Sequence, residues 1–384
     1  MKRKRRIGLI LLTEPRDGGE HQYAMLVVKC LQERNRIDYE LIVLCGNAFW
    51  KKQCREMRIE YRGYPIQNIS VKEQQFNYHH PRIAMVYNTY MTPLGKKIRE
   101  EKLDILLIVQ QHKFIPNYKV KIVGAVHDLM HRYESRFPEL NKFDVRDGYP
   151  KGLAKYAKCV LVDSKLGKKQ FDESYNLGQA TRKPRIISLP YVASEYVCNA
   201  EEEHVEVPEK YIFYPAQFWK HKNHVNLMSA ICILRDTIPD IHLVLVGSDK
   251  YNSGEVRKFI EENTLEDFIT ILGFVSNGQL AWLYSHAMGM VMPSYFGPTN
   301  IPPLEAMALG CPVAVSDKYA MPEQVGKAGL LFNPDSPEEI ADCIRKIWTD
   351  EELRDTMRKL GYRRAKRWTQ REFADKLQKI INII

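Results

Sequence analysis

Short apolar runs alternate with longer amphipathic stretches from one end of this 384-residue chain to the other. In the first half the runs are Ile7–Leu12, Leu41–Cys45, Ile105–Val109, Val120–Val126, Cys159–Val162 and Ile186–Leu189. The second half supplies Tyr211–Tyr214, His242–Val246, Ile269–Leu272, Met288–Met292, Val313–Val315 and Gly329–Phe332. Runs this short and this rich in Val, Ile and Leu predict parallel strands buried on both faces, separated by helices such as Ala24–Gln32 and Val225–Arg235. Such βα alternation in both halves predicts an α/β fold of two doubly wound, Rossmann-like domains facing an interdomain cleft. After about residue 335 the pattern turns helical. One helix opens at Pro337 behind a Ser336 cap, and Glu351–Arg367 and Gln370–Ile384 follow. The acidic stretch Glu195–Pro208 has no clear period and separates the halves. The predicted domains are 1–195 and 209–365, with a linker over 196–208 and a C-terminal helix over 366–384 that packs back on the first domain.

Composition narrows the class. Hydrophobic residues at 45% and charged ones at 27% suit ordinary globular cores, and the length exceeds what one core usually organises. The eight cysteines form no CxxC pair, so neither a zinc ribbon nor a thioredoxin-like motif is offered, and a reduced, cytoplasmic compartment is expected. Basic residues Lys2–Arg6 followed by Ile7–Leu12 imitate a signal peptide, but Thr13-Glu-Pro-Arg-Asp17 stands where small residues should mark cleavage. No apolar run approaches the ~20 residues of a spanning helix, so any membrane association is expected to be peripheral, on the inner face.

Charge is unevenly divided. Residues 1–193 hold 36 Lys and Arg against 20 Asp and Glu, whereas residues 194–384 hold 21 against 27; the balances of +16 and −6 give the net +10. Nucleic acid, an anionic membrane or a phosphorylated substrate could each exploit the basic half, and a solvated basic surface would look the same. The cluster Lys2–Arg6 and the group Lys51, Lys52, Arg55, Arg58 and Arg62 are the expected membrane contacts, the latter on one helix face.

Candidate chemistry gathers where predicted strands end. Gly18 and Gly19 follow the first strand, where paired glycines let backbone N–H groups approach an anion or sugar, or merely supply a positive φ. This is not the GxGxxG fingerprint of dinucleotide binding. His127 and Asp128 end another strand. His127 could donate to a substrate hydroxyl or phosphate, Asp128 could cap the next segment, and His127 with His131 matches part of a zinc constellation without HExxH. Beyond Tyr211–Tyr214, Lys220 and Lys222 beside an apparent Asn223 N-cap would set ammonium charge and free backbone donors around one anion. The most informative stretch runs from Met292 to Ser316. A loop rich in Gly and Pro exposes amides at Thr299, Asn300 and Ile301, and a helix opening near Pro303 carries Glu305 in its first turn. Such a loop can hold a diphosphate while the carboxylate grips vicinal hydroxyls.

Pro302-Pro-Leu-Glu-Ala-Met-Ala-Leu-Gly-Cys-Pro-Val-Ala-Val-Ser316 resembles the C-terminal signature of the retaining glycosyltransferase family 4. Gly18-Gly19 matches that family's N-terminal loop, His127-Asp128-Leu129 its interdomain histidine segment, and Lys222 its phosphate-binding lysine. Gly273, Phe274 and Val275, followed by Leu283 and Tyr284, resemble the segment packed against the nucleotide base. The resemblance implies a GT-B fold, a nucleotide-sugar donor on the C-terminal domain and a glycan or lipid-linked saccharide acceptor on the N-terminal one. It also implies retention of configuration, no cofactor, no metal and no nucleic acid partner. Two positions depart from the family. Gly297, within Phe296-Gly-Pro-Thr-Asn-Ile301, stands where an acid is usual, and Gln217 replaces an arginine. The implied roles are catalytic for His127 and Lys222, and acceptor approach for Gly18 and Gly19. Donor binding falls to Gln217, Asn223, Gly273, Phe274, Val275, Gly297, Pro298, Thr299, Asn300, Ile301 and Glu305. Guanosine diphosphate mannose and uridine diphosphate sugars both remain open as donors. A catalytically silent subunit binding a glycan or partner enzyme is the rival reading, and another GT-B enzyme such as an epimerase or phosphorylase is a third.

Overall fold

The computed structural model describes residues 3–64, 71–111, 117–137, 140, 143–179, 183–247, 253–297 and 300–384. They divide into two units, Met1–Pro190 with Gln370–Ile384, and Tyr191–Thr369.

The first unit holds strands β1 (Arg5–Leu11), β2 (Tyr39–Cys45), β3 (Glu60–Gly63), β4 (Ile105–Ile108), β5 (Lys121–Val126), β6 (Cys159–Val162) and β7 (Arg185–Ser188). They form a parallel sheet in the order β3-β2-β1-β4-β5-β6-β7, with Ile7 opposite both Leu41 and Ile105. The second unit holds β8 (Ile212–Pro215), β9 (Leu243–Val246), β10 (Ile269–Gly273), β11 (Gly289–Met292), β12 (Val313–Ser316) and β13 (Gly329–Phe332), in the order β10-β9-β8-β11-β12-β13. Both sheets are doubly wound. Strand order reverses between β1 and β4 in one and between β8 and β11 in the other, which is where crevices open at the carboxyl ends of parallel strands. Interior strands such as β4, β9 and β12 are buried along their whole length, as parallel strands covered on both faces must be.

Several sequence expectations shift. The edge strand β3 was not predicted: Glu-Tyr-Arg-Gly lacks an apolar run because this strand pairs only with β2 and is largely solvated. The stretch read as a linker contains a short helix, Glu195–Cys198, and both Val197 and Val205 are buried in the core of the second unit. The basic group from Lys51 to Arg62 does not share a helix face. The helix Ala48–Glu56 ends before Arg58, which takes a positive φ, while Arg62 lies on β3 and pairs with Glu101 and Glu60. The Arg62 charge is therefore spent on folding contacts. The helix Gln370–Ile383 packs on the helix Gly19–Gln32 of the first unit, burying Phe373, Leu377, Ile380 and Ile381.

Candidate active site

In the second unit, chemistry converges at the switch point. β8 runs through a single 3₁₀ turn, Lys220–Lys222, into the helix His224–Leu234. The Tyr214 hydroxyl donates to the Lys222 carbonyl at 2.8 Å and fixes the turn from below. The Lys222 ammonium then reaches across to β11's loop, donating from Nζ to Asn300 Oδ1 at 3.2 Å. Burial lowers this lysine from its usual value to about 8. The two loops are tied at other points: Tyr295 N–H donates to the His221 carbonyl at 2.8 Å, and the His221 ring stacks on Phe296 with centroids 4.0 Å apart.

Asn300 precedes the helix Ile301–Ala308, whose Pro302 and Pro303 sit at positions that need no intrahelical donor. Its side chain does not cap that helix. Gln324 grips it instead: Gln324 Oε1 accepts from Asn300 N–H at 2.9 Å, and Gln324 Nε2 donates to the Asn300 carbonyl. Arg364 in turn donates to the Gln324 and Glu323 carbonyls. Gln324 was not singled out from sequence. Its clue was the position of Met321–Val325 just beyond the end of β12, at the carboxyl edge of the sheet.

Because the helix opens at Ile301 rather than near Pro303, Glu305 falls in its second turn, not its first. Glu305 is 3% exposed. Its Oε2 accepts from the Tyr284 hydroxyl at 3.0 Å, and its Oε1 has no hydrogen-bond partner among the described residues. Burial raises the carboxyl to about 7, against a smaller lowering by Tyr284. An unpaired buried carboxylate oxygen is costly unless a ligand hydroxyl satisfies it.

The other residues assigned to the donor from sequence are arranged differently from one another. Asn223 adopts a left-handed backbone (φ 59°) and its side chain does not cap the following helix, contrary to expectation. Its Nδ2 instead donates to the Pro293 and Pro334 carbonyls at 3.1 and 2.7 Å, which pins the two loops together. Gln217 accepts from Trp219 Nε1 at 2.8 Å. Gly297 has φ 130°, and a Cβ there would collide with the Asn300 side-chain amide, so Asn300 fills the space that an acidic side chain would need. Gly273 has φ 72°, Phe274 is 90% exposed, and Val275 is half-buried ahead of the Ser276 capping box. Leu283 and Tyr284, expected beside a base, are core residues. Pro298 and Thr299 lie outside the described residues.

In the first unit, Gly18 (φ 61°) occupies the N-cap of the helix Gly19–Gln32, with Gly19 exposed at its first position. His127 closes β5. Its Nε2–H donates to the Val109 carbonyl at 2.7 Å and its ring meets Tyr23 edge-on at 5.0 Å. Asp128 Oδ1 accepts from Met130 N–H at 3.0 Å and pairs with Arg146 at 3.3 Å, but the N-cap of the short helix Met130–Tyr133 is Leu129, not Asp128. His131 turns away to Asp147 at 3.1 Å, so the two histidines serve different partners. Glu20, which follows Gly19 in the same helix, was given no role from sequence. It accepts from Gln111 N–H at 3.4 Å, and burial raises its carboxyl while His127 opposes the rise.

Two doubly wound parallel sheets with strand-end loops of this kind define the GT-B class. Residues 197–364, which lie within the second unit, match the family described as glycosyl transferases group 1. The O-antigen chain mannosyltransferase RfbU of Salmonella typhimurium is 28% identical over 334 residues, covering 86% of this chain and 87% of the relative. The O-antigen chain mannosyltransferase B of Escherichia coli is 26% identical over 264 residues, covering 63% of this chain and 68% of that one. Among solved structures, HepE of Anabaena in complex with UDP and glucose superposes with a TM-score of 0.72 at 16% identity, over 99% of this chain and 100% of that one.

Proposed function

We propose that this chain is a retaining, metal-independent glycosyltransferase acting in surface polysaccharide synthesis. It transfers a hexosyl group, mannose from guanosine diphosphate mannose in the reading favoured by its O-antigen relatives, to a hydroxyl of a glycan or lipid-linked saccharide. The observation that carries the reading is the pairing of Lys222 with Asn300 at the mouth of the helix whose buried Glu305 keeps one oxygen open. An ammonium and a helix N-terminus suit a diphosphate, and the carboxylate oxygen suits ribose hydroxyls.

In this mechanism the bond between the anomeric carbon and the diphosphate oxygen breaks, and the acceptor oxygen bonds to that carbon on the same face. The acceptor proton passes to the leaving phosphate. Lys222 stabilises the charge that develops on the leaving group, where a single donor is worth about 10²- to 10³-fold in rate. Asn300 holds the ammonium in place before the donor arrives. We assign His127 to a hydroxyl of the transferring sugar, Gly18 and Gly19 to the approach of the acceptor, and Gly273 to Val275 to the base.

Thermal-shift screening with nucleoside diphosphates tests the donor half, because a ligand that binds only the folded state raises its apparent stability. Guanosine diphosphate is expected to stabilise the second unit more than uridine or adenosine diphosphate. A larger shift with uridine diphosphate would change the donor, and no shift with any of them would remove the donor site.

A further inference from the structure

The helix Pro81–Met91 in the first unit is built inside out. Ile83, Val86, Tyr87, Tyr90 and Met91 recur at helical spacing and are between 48% and 70% exposed. Its inward face is Ala84, Asn88 and Thr89. The polar members of that face are satisfied by protein: Asn88 Nδ2 donates to Asn77 Oδ1 at 2.8 Å and to the Asn117 carbonyl at 3.0 Å, and Thr89 Oγ1 accepts from Lys119 N–H at 2.9 Å. A helix in water normally buries the apolar stripe and solvates the polar one. This one does the reverse, and five of the thirteen large apolar side chains that are exposed among the described residues lie on its eleven positions.

Positive charge surrounds the stripe. Arg82 is exposed on the helix itself, the Arg99 guanidinium sits 4.9 Å above the Tyr90 ring and donates to the Thr89 and Tyr90 carbonyls, and Lys96 and Lys119 are exposed nearby in the fold. Over Val71–His79, Pro81–Met91 and Pro93–Glu100 five Lys and Arg stand against Glu73 and Glu100, and Glu100 is already paired with Lys96 and Lys97. A second copy of the chain would set this basic rim against itself across a two-fold axis. Apolar side chains framed by arginine and lysine, on a helix too short to cross a bilayer, fit the interface of an anionic membrane, with the stripe among the acyl chains and the cations at the headgroups.

We propose that Pro81–Met91 is the element by which this protein inserts into the surface of an anionic lipid bilayer. The contact does not depend on the transferase reading, and it differs from a purely electrostatic one in leaving a component that salt does not remove. Sedimentation with vesicles of phosphatidylglycerol and phosphatidylcholine tests it. The wild-type protein is expected to pellet with them, to weaken but persist in binding at high salt, and to bind pure phosphatidylcholine far less. The triple variant Ile83→Ser, Val86→Ser, Met91→Ser alters only exposed side chains. It is expected to keep its thermal unfolding midpoint and to lose at least about tenfold in partitioning at both salt levels. The control Lys51→Ser, Lys52→Ser is expected to bind like the wild type. Equal pelleting of the triple variant and the wild type would overturn the proposal. So would a triple variant that turned a dimer into a monomer while binding vesicles unchanged, which would assign the stripe to a second copy.

Discussion

Glu305→Gln separates the cost of the buried carboxylate from its use. In the free protein this carboxyl is held at about 7 against an ordinary value of 4.5, chiefly by burial. A folded-state value above the unfolded one means that the folded chain holds the proton more tightly. The associated stability is therefore full below pH 4.5 and is lost as pH rises through 7. Integrated over that window, a shift of this size costs the native state on the order of 3 kcal/mol at pH 8 and under about 1 kcal/mol at pH 5. Glutamine carries no charge and can still accept from the Tyr284 hydroxyl. The variant should accordingly melt higher than the wild type at pH 8, by about 5 to 10 °C for a unit of this size, with a much smaller difference at pH 5. Its affinity for the nucleoside diphosphate should fall about 10- to 100-fold, the worth of hydrogen bonds to a charged acceptor, with KM for the donor rising more than kcat drops. Differential scanning calorimetry at the two pH values, with calorimetric titration of the nucleotide, measures both. Equal melting differences at pH 5 and pH 8 would refute the burial argument, and unaltered nucleotide affinity would refute the ribose assignment.

Lys222 gives a pH limb in binding: in the proposed mechanism its ammonium, lowered to about 8 by burial, neutralises the diphosphate, so nucleotide affinity should fall by up to about tenfold per unit above pH 8. Lys222→Ala should flatten that limb and lower kcat by about 10²- to 10³-fold. Gln324→Ala frees the Asn300 backbone and should reduce kcat/KM by about tenfold, leaving the midpoint of the first unit's unfolding unchanged when followed by hydrogen exchange. Gly297→Glu should not restore a missing acid; with φ at 130° and Asn300 in the way it should cost about 1 to 3 kcal/mol in thermal stability and lower turnover.

Twelve of the thirteen strands among the described residues were legible as apolar runs, the interior ones because parallel strands buried on both faces carry their pattern openly. β3 escaped because its Glu-Tyr-Arg-Gly is charged and largely solvated, whereas the other edge strands, β7, β10 and β13, still carry apolar runs. The helices between Val71 and Glu100 escaped for a different reason: Asn88 and Thr89 face inward and Ile83 and Val86 outward, so the apolar period misleads about which face is buried. At the site, Lys222, Asn300 and Glu305 could be found because each follows the end of a strand. The grip of Gln324 on Asn300 could not, since it joins a side chain to a backbone 24 residues away and depends on where two loops meet in space. The pairing of Tyr284 with Glu305 was hidden in the same way, since it joins side chains 21 residues apart on two helices.

The anomeric configuration of the product tests the central claim most directly. Purified protein would be incubated, with chelator present, with a panel of guanosine and uridine diphosphate sugars and a lipid-linked saccharide acceptor, and the glycosylated product examined by NMR. Release of one nucleoside diphosphate together with a product that keeps the α configuration of its donor is the expected result. A β-configured product, or a donor panel left intact while the protein binds the nucleotides, would contradict it.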